Sequence, residues 1–412
     1  MADRVEVAVI GAGVVGSAIA LELARQGRDV ALIDPDPPGA GASYGNAGTV
    51  ADYAVRPVGT PDVLRNLPSL LFDAASPLAI RKAAILSLAP WLARFLMQSL
   101  PRAAERNAVA LAGLLAGAGP MWRDLALSVG AGAQLRARGC LYVYRDAASV
   151  DSARAELAGR RALGVAVEVL GQAEFAALEP GWAAPAGGAA FFPGALSLSD
   201  PGRVTRAIAE AAVAEGAVII PGRVAQLKPG VGGTTLSGAG LAVSARTVVI
   251  AAGAHSRALA RMAGDPVPLD TERGYHLEFD GAEGRLTRPV CPVERGFYFC
   301  PMDGRLRVAG TVELGGLTAP PSPHRLAALE RGARAIFPDL PAPSRSWMGF
   351  RPSIPDSLPV IGPSRGGSGV IHAFGHGHIG LTLAPVTARI VADLVAGRPP
   401  DRDIAPFRVT RF

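Results

Sequence analysis

The sequence predicts a mixed α/β fold, α+β in the way its strands segregate, in which a discontinuous Rossmann-like domain carries an inserted β-rich domain. Three observations lead there. An apolar strand-like run at 5–10 feeds directly into Gly11-Ala-Gly13-Val-Val-Gly16 and a helical stretch. A second strand–turn–helix pattern closes the chain over 370–395, and the region between 267 and 345 reads as successive strands.

In chain order, 5–10 is a buried strand and not a signal peptide, 14–26 a helix, Gly27 its C-terminal stop and 30–33 a second strand, which makes one βαβ unit. A loop rich in glycine and proline covers 35–48. From about 60 to 190 helical stretches alternate with short strands such as 141–144. A helix at 204–215 and strands at 218–220 and 247–251 follow Asp200. Strand character returns at 275–279, 296–300 and 305–308, then a helix at 321–336. The strand 370–374, a glycine/histidine turn and an apolar helix over 383–395 complete the chain. The ordering assigns 1–60, 195–262 and 346–412 to the cofactor domain, and 61–194 with 263–345 to a substrate-binding cap.

Composition narrows the function. The 412 residues, 49% hydrophobic and 18% charged, suit a globular protein of two or three domains. Cys140, Cys291 and Cys300 have no metal-ligand spacing and an odd count, so we expect no metal site, reduced thiols and a cytoplasmic setting. The net charge of +6 comes almost wholly from scattered Arg, Lys82 and Lys228 being the only lysines, and no basic run interleaved with aromatics indicates nucleic-acid binding. A Schiff-base lysine has no suitable context. The apolar stretch 67–100 is broken by Asp73, Arg81, Lys82 and Arg94, too often for a spanning helix. From Pro90, the residues Trp91, Leu92, Phe95 and Leu96 share a helical face; core packing is the favoured reading, and peripheral contact with the inner face of the cell membrane is the second.

The glycine motif carries the first chemistry. Gly11 permits a tight turn, Gly13 lets a pyrophosphate approach the backbone, and Gly16 allows close helix–strand packing. Asp34, at the end of the second strand, can accept hydrogen bonds from ribose hydroxyls. FAD is preferred to NAD on three further segments. Ser43-Tyr-Gly-Asn46-Ala47-Gly48 supplies small residues and amide donors suited to wrapping a pyrophosphate. The run 248–256, with Gly253, His255 and Ser256, is a buried strand ending in a glycine turn. Gly375-His376-Gly377-His378-Ile379-Gly380-Leu381-Thr382 precedes an apolar helix, whose N–H groups and dipole suit the anionic N1–C2=O locus of a reduced flavin. His255 and His372 read as structural histidines.

Over nearly its whole length the chain resembles the FAD-dependent D-amino-acid oxidase/dehydrogenase superfamily, which includes glycine and sarcosine oxidases, and most of all the bacterial D-amino-acid dehydrogenases of the small-subunit type. The likeness rests on GAGVVG at 11–16, SYGNAG at 43–48, AAGAHS at 251–256, ERGYHLEF at 272–279, PMDGRLRVAGTVEL at 301–314, GFRPSIPDSLPVIG at 349–362 and AFGHGHIGLTLAP at 373–385. It implies that Arg351, from the FRP segment, pairs with the substrate carboxylate, a role for which a planar guanidinium is better shaped than an ammonium. It places Tyr275 in the substrate-facing aromatic region, although a core tyrosine is an equal reading. Strand alternation sets Tyr275 and Leu277 on one face and His276 and Glu278 on the other. His376 and His378 either touch the flavin ring or fill the turn.

The implied reaction is oxidative deamination of a small D-amino acid to a 2-oxo acid and ammonia, with hydride passing from the α-carbon to flavin N5 across roughly 3–3.5 Å. With no protein base assigned, turnover is expected to rise with pH as the substrate amine deprotonates. Sarcosine oxidases attach their flavin through a cysteine near the FRP region and use a lysine for oxygen. Here 344–362 has no cysteine and no lysine follows Lys228, which implies non-covalent FAD and a quinone or other acceptor in preference to O₂. The alternatives are a glycine/sarcosine-type or cyclic imino-acid (D-hydroxyproline-like) enzyme, or a flavin electron-transfer subunit of a larger complex.

Overall fold

The computed structural model describes residues 3–65 and 78–412. Its first sheet is built around three parallel strands, Val30–Asp34, Asp3–Ile10 and Leu241–Ile250, with Val218–Pro221 parallel on one side and Val370–Phe374 parallel to the end of Leu241–Ile250. Alternation within the first strand decides what each face meets. Val7 and Val9 pack with Ile19 and Leu23 of helix Val14–Arg25, Ile208 of Pro201–Ala214 and Val391 of Gly380–Val395. Ala8 and Ile10 face the other way, towards Leu259 and Phe374. A fully buried Ile or Leu of this kind contributes about 1.5–3 kcal/mol, so the layer is held mainly by apolar area.

The second sheet runs in the order Arg345–Ser353, Asp270–Asp280, Arg305–Leu314, Phe297–Met302, Val290–Pro292, Cys140–Tyr144, Gly188–Phe192, Glu168–Gly171. Tyr275, Leu277, Phe299 and Val308 line one face, packed against Leu329 and Phe337. The opposite face carries His276, Glu278 and Arg307; His276 and Arg307 reach the 42–48 segment of the first unit, and Glu278 pairs with Arg307. A small third sheet joins Thr49–Val50, Leu196–Leu198 and Leu135–Arg136. The chain is thus a mixed α/β fold with a discontinuous Rossmann-like part and a separate β-rich part.

Several details differ from the sequence reading. Strand Arg345–Ser353, counted from 346 with the first unit, pairs along its whole length with Asp270–Asp280 and lies in the second sheet. The hairpin Gln226–Gly230/Gly233–Gly238 carries little apolar signal, because only Leu227, Thr234 and Leu236 are buried in it. In helix Ile85–Gln98 the buried stripe is Leu88 and Trp91, with Leu92 and Phe95 packed beside them; Leu96 is exposed. Residues 67–77 of the apolar run lie outside the described residues.

Candidate cofactor and substrate site

At the glycine turn, Gly11 has φ +110°, and a Cβ there would lie 2.5 Å from the Ala251 carbonyl oxygen. A Cβ on Gly16 would lie 1.8 Å from Gly11 O, so only glycine lets the helix sit this close to the strand end. A Cβ on Gly13 would meet only Ser43 Oγ, at 3.3 Å. Asp34 Oδ2 accepts from Ala12 N (2.7 Å) and Oδ1 from Asp36 N (2.9 Å), which fixes the carboxylate beside the turn.

The 43–48 segment is shaped by its own side chains. Ser43 Oγ accepts from Val14 N (2.9 Å), Asn46 Nδ2 donates to Ser43 O (2.8 Å), and Asn46 Oδ1 accepts from Gly48 N (2.6 Å). Ala47 is half-buried between them. Arg307, fully buried, donates through Nη1 to Tyr44 O (2.8 Å) and Asn46 O (2.7 Å), while its Nε and Nη2 pair with Glu278 Oε1 (3.0 and 2.6 Å). Arg305 and Arg345 complete the cluster on Glu278. Burial alone would raise the Glu278 carboxyl; the Arg307 charge and the hydrogen bonds from Arg345, Arg307 and Arg305 outweigh it and hold the group at about 2.

Two other turns present open backbone. Gly253 and Gly377 both have φ +54° and no atom within 4 Å of where a Cβ would stand. Gly377 N is anchored on Pro352 O (2.8 Å), and Ile379 caps helix Gly380–Val395. Leu383 N makes a bond to Ile379 O (3.0 Å), so the N–H groups of Gly380, Leu381 and Thr382 precede the helical ladder and remain for a ligand. Around them, Thr382 Oγ1 accepts from Ala51 N (2.8 Å) and Trp122 Nε1 donates to Leu381 O (2.9 Å). The acid beside a glycine turn, the wrapping loop and the helix N-terminus form a cradle that FAD fits.

Arg351 Nη1 donates to Thr311 O (2.9 Å). Burial lowers its pKa and the neighbouring Glu272 charge opposes that. Thr311 has φ +59°, an unfavourable backbone for a β-branched residue, and its carbonyl accepts the Arg351 bond. His378 is exposed and lines a cavity with His376 and Glu272; desolvation, then the charges of Arg351 and Arg160, depress it to about 4. His376 Nε2 meets Thr387 Oγ1 (3.0 Å), and burial depresses it to about 3. Both rings are therefore neutral at physiological pH.

Tyr275 is 1% exposed, on the face packed against helix Pro323–Arg334. Its hydroxyl donates to Glu313 Oε2 (2.5 Å) and accepts from Ser322 N (3.0 Å), and Glu313 also pairs with Arg81 and Arg273. This places Tyr275 in the core, not in the cleft with Arg351. His276, on the opposite face as alternation requires, donates through Nδ1 to Gly45 O (3.0 Å) and stacks on Trp347. His372 is a buried partner of Asp265 (2.7 Å). His255 is exposed, near Asp34 and Asp36.

The residues that sequence reasoning missed are Arg160, Tyr142 and Tyr298. The Tyr142 and Tyr298 hydroxyls meet at 2.7 Å; Arg160 lies over the Tyr142 ring at 5.8 Å, donates to Tyr53 O (2.7 Å) and acts electrostatically on His378. No local pattern marks them, because one helix and two separated strands bring them together.

The glycine turn with its terminal acid, the wrapping loop and the open helix N-terminus, together with a half-buried arginine on a second sheet, define a flavin oxidoreductase. The chain belongs to the family described as FAD dependent oxidoreductase (DAO), whose model matches residues 6–394. It is 35% identical to a D-amino-acid oxidase of Bradyrhizobium diazoefficiens over 100% of both chains. It is 31% identical to D-amino acid dehydrogenase 2 of Ralstonia nicotianae over 98% of this chain and 100% of that one. Among solved structures it is similar to glycine oxidase from Geobacillus kaustophilus, with a TM-score of 0.78, 26% identity, and 100% and 99% of the two chains covered.

Proposed function

We propose that the protein oxidises a small D-amino acid to its imine, which hydrolyses to a 2-oxo acid and ammonia, and passes the electrons to a quinone or another acceptor. The observation that carries this is the half-buried Arg351 guanidinium on the second sheet, opposite Glu272, which lines one cavity with Gly377 and His378 of the turn that leads into helix Gly380–Val395. A half-buried guanidinium of this kind can pair with a carboxylate through two parallel charge-assisted hydrogen bonds. FAD, when bound, supplies the two-electron acceptor. The protein's own part is to hold the carboxylate, keep His376 and His378 neutral, and exclude water. The names of the two relatives support D-stereochemistry.

The FAD is non-covalent in this reading. Each cysteine is a buried thiol whose pKa burial raises, that of Cys140 to about 12, so none is a ready nucleophile. Lys228 lies exposed on the outer hairpin, away from the turn segments, which supports an acceptor other than O₂. We place the protein in the cytoplasm, with helix Ile85–Gln98 as its contact with the membrane surface. That helix exposes Ile85, Leu86 and Met97, with Leu100 just beyond it. Among the described residues, no helix is long and apolar enough to cross a membrane. Co-sedimentation with anionic vesicles that Leu86→Asp/Met97→Asp abolishes is the expected result; equal sedimentation of both proteins refutes the contact.

Anaerobic bleaching of the flavin absorbance tests the whole reading, with D- and L-amino acids, glycine, sarcosine and D-hydroxyproline as donors. Rapid bleaching by a D-amino acid supports it. Bleaching by glycine or sarcosine alone selects the second reading, a glycine-oxidase-like enzyme, which the likeness to the Geobacillus structure favours. Stoichiometric peroxide at the dye-coupled rate overturns the acceptor assignment, and yellow acid-precipitated protein overturns non-covalent binding.

A further inference from the structure

Glu272 is a carboxylate that the roles described so far leave unused. It sits one residue before Arg273 but on the other face of the strand: Arg273 turns to Glu313, whereas Glu272 is in direct cross-strand register with Arg351. Directly opposed residues of an antiparallel pair project from the same face. Gly274, next along that face, leaves the room the Arg351 guanidinium occupies, since a Cβ there would lie 2.5 Å from Nη2. Glu272 is 8% exposed and lines the same cavity as Ser353, Gly377, His376 and His378. Arg351 spends its Nη1 hydrogen bond on the Thr311 carbonyl and not on Glu272. The cleft therefore holds a half-buried cation and a buried anion side by side, the charge pattern of an α-amino acid zwitterion in reverse.

Resting on the function proposed above, we propose that Glu272 receives the substrate ammonium while Arg351 holds the carboxylate, and that Glu272 takes the proton which must leave nitrogen before the α-carbon can be oxidised. The step balances: one N–H bond of the ammonium breaks, one O–H bond forms on Glu272, and a zwitterion plus a carboxylate become an amino carboxylate plus a carboxylic acid. The nitrogen lone pair is then free to assist loss of hydride from Cα. The charged and titratable groups facing Glu272 are Arg351 from the neighbouring strand, His376 and His378 from the turn, and Arg56 from the segment after Thr49–Val50. Both histidines are depressed well below neutrality, so they do not compete for the proton. Burial raises the Glu272 pKa, with Arg351 and the Ser353 hydroxyl opposing it, which makes the group a better proton acceptor than a solvated carboxylate.

The test compares wild type with Glu272→Gln and Glu272→Asp, each first shown to bind flavin and to keep the wild-type absorbance spectrum. Wild-type kcat/KM should be flat from neutral pH up to the ammonium pKa of the substrate. It should fall on the acid side as Glu272 itself protonates above the usual carboxylate range. Glu272→Gln should lose about 10²-fold or more at pH 7 and regain activity about tenfold per pH unit towards alkaline pH, while Glu272→Asp keeps the wild-type profile at a lower rate. Binding is read without turnover by titrating flavin absorbance with 2-aminoisobutyrate, a zwitterion lacking an α-hydrogen, and with propionate. Wild type should prefer the zwitterion by about tenfold, or ~1.4 kcal/mol, and Glu272→Gln should lose that preference. Identical pH profiles and binding ratios in wild type and Glu272→Gln overturn the proposal while leaving the amino-acid reading intact. If no amino acid bleaches wild-type flavin, the functional reading itself fails.

Discussion

The resemblance puts Arg351 and Tyr275 in one site, and the structure gives them opposite surroundings. Arg351 is half-buried, with one hydrogen bond to a backbone carbonyl and a carboxylate across the strand. Replacing it with Lys keeps a charge but loses the planar fork, so kcat/KM for amino acids should fall by about 10²-fold, and by about 10³-fold in Arg351→Ala, as judged by initial rates with an artificial acceptor. Loss of less than tenfold in both would remove Arg351 from the carboxylate site. Tyr275→Phe should behave in the opposite way. It strips a partner from Glu313 and from Ser322 N, so the urea midpoint should drop by the equivalent of about 1–3 kcal/mol, while kcat stays within a few-fold of wild type. A large loss of kcat at unchanged stability would return Tyr275 to the site. Spacing alone could not separate these two residues, because alternation says which residues share a face but not which face meets the cofactor domain.

Among the elements, the first βαβ unit was the most legible, because its signal is local. Strand, glycine turn, helix and terminal acid each follow from residues within about one turn or strand of one another. Gly16→Ala tests that unit. Its Cβ would stand 1.8 Å from Gly11 O, so the helix must move away from the strand end. We expect protein purified with much less than one FAD per chain, and stability lower by about 1–3 kcal/mol; full flavin content would show that the turn tolerates the shift. Other elements were legible as elements but not as neighbours. Strand Arg345–Ser353 reads as extended from its residues, yet its membership of the second sheet is settled by nine paired positions with Asp270–Asp280 far earlier in the chain. In helix Ile85–Gln98 the spacing points to a face of Trp91, Leu92, Phe95 and Leu96, whereas packing against Leu314 selects a stripe shifted towards Leu88.

At the level of the whole molecule, the Glu278 cluster couples the two parts. Arg307 links it to the carbonyls of Tyr44 and Asn46 in the cofactor loop, while Glu278 neutralises Arg307 inside the second sheet. The Glu278 carboxyl, held at about 2 against an ordinary 4.5, contributes stability that is fully present above pH 4.5 and is lost as pH falls through 2. The free-energy gap between wild type and Glu278→Gln, on the order of 3 kcal/mol at neutral pH, should therefore narrow steadily between those limits in urea titrations. A gap that stays constant down to pH 2 would mean that the cluster is not ionised as described. Arg307→Met should in addition weaken FAD binding, because the loop carbonyls it holds would lose their anchor.

The sequence by itself determined the local and periodic features: the class of fold, the glycine turn with Asp34, and the apolar helix after the glycine/histidine turn. Each depends on residues adjacent in the chain or on a motif that keeps its meaning in isolation. Only the tertiary structure decided that Tyr275 belongs to the core, that Arg160, Tyr142 and Tyr298 form a cluster whose arginine acts on His378, and that Glu272 stands opposite Arg351. The physical reason is the same in each case. Burial and charge pairing depend on which segments are packed together, and strands from distant parts of the chain meet by long-range pairing that no local spacing encodes.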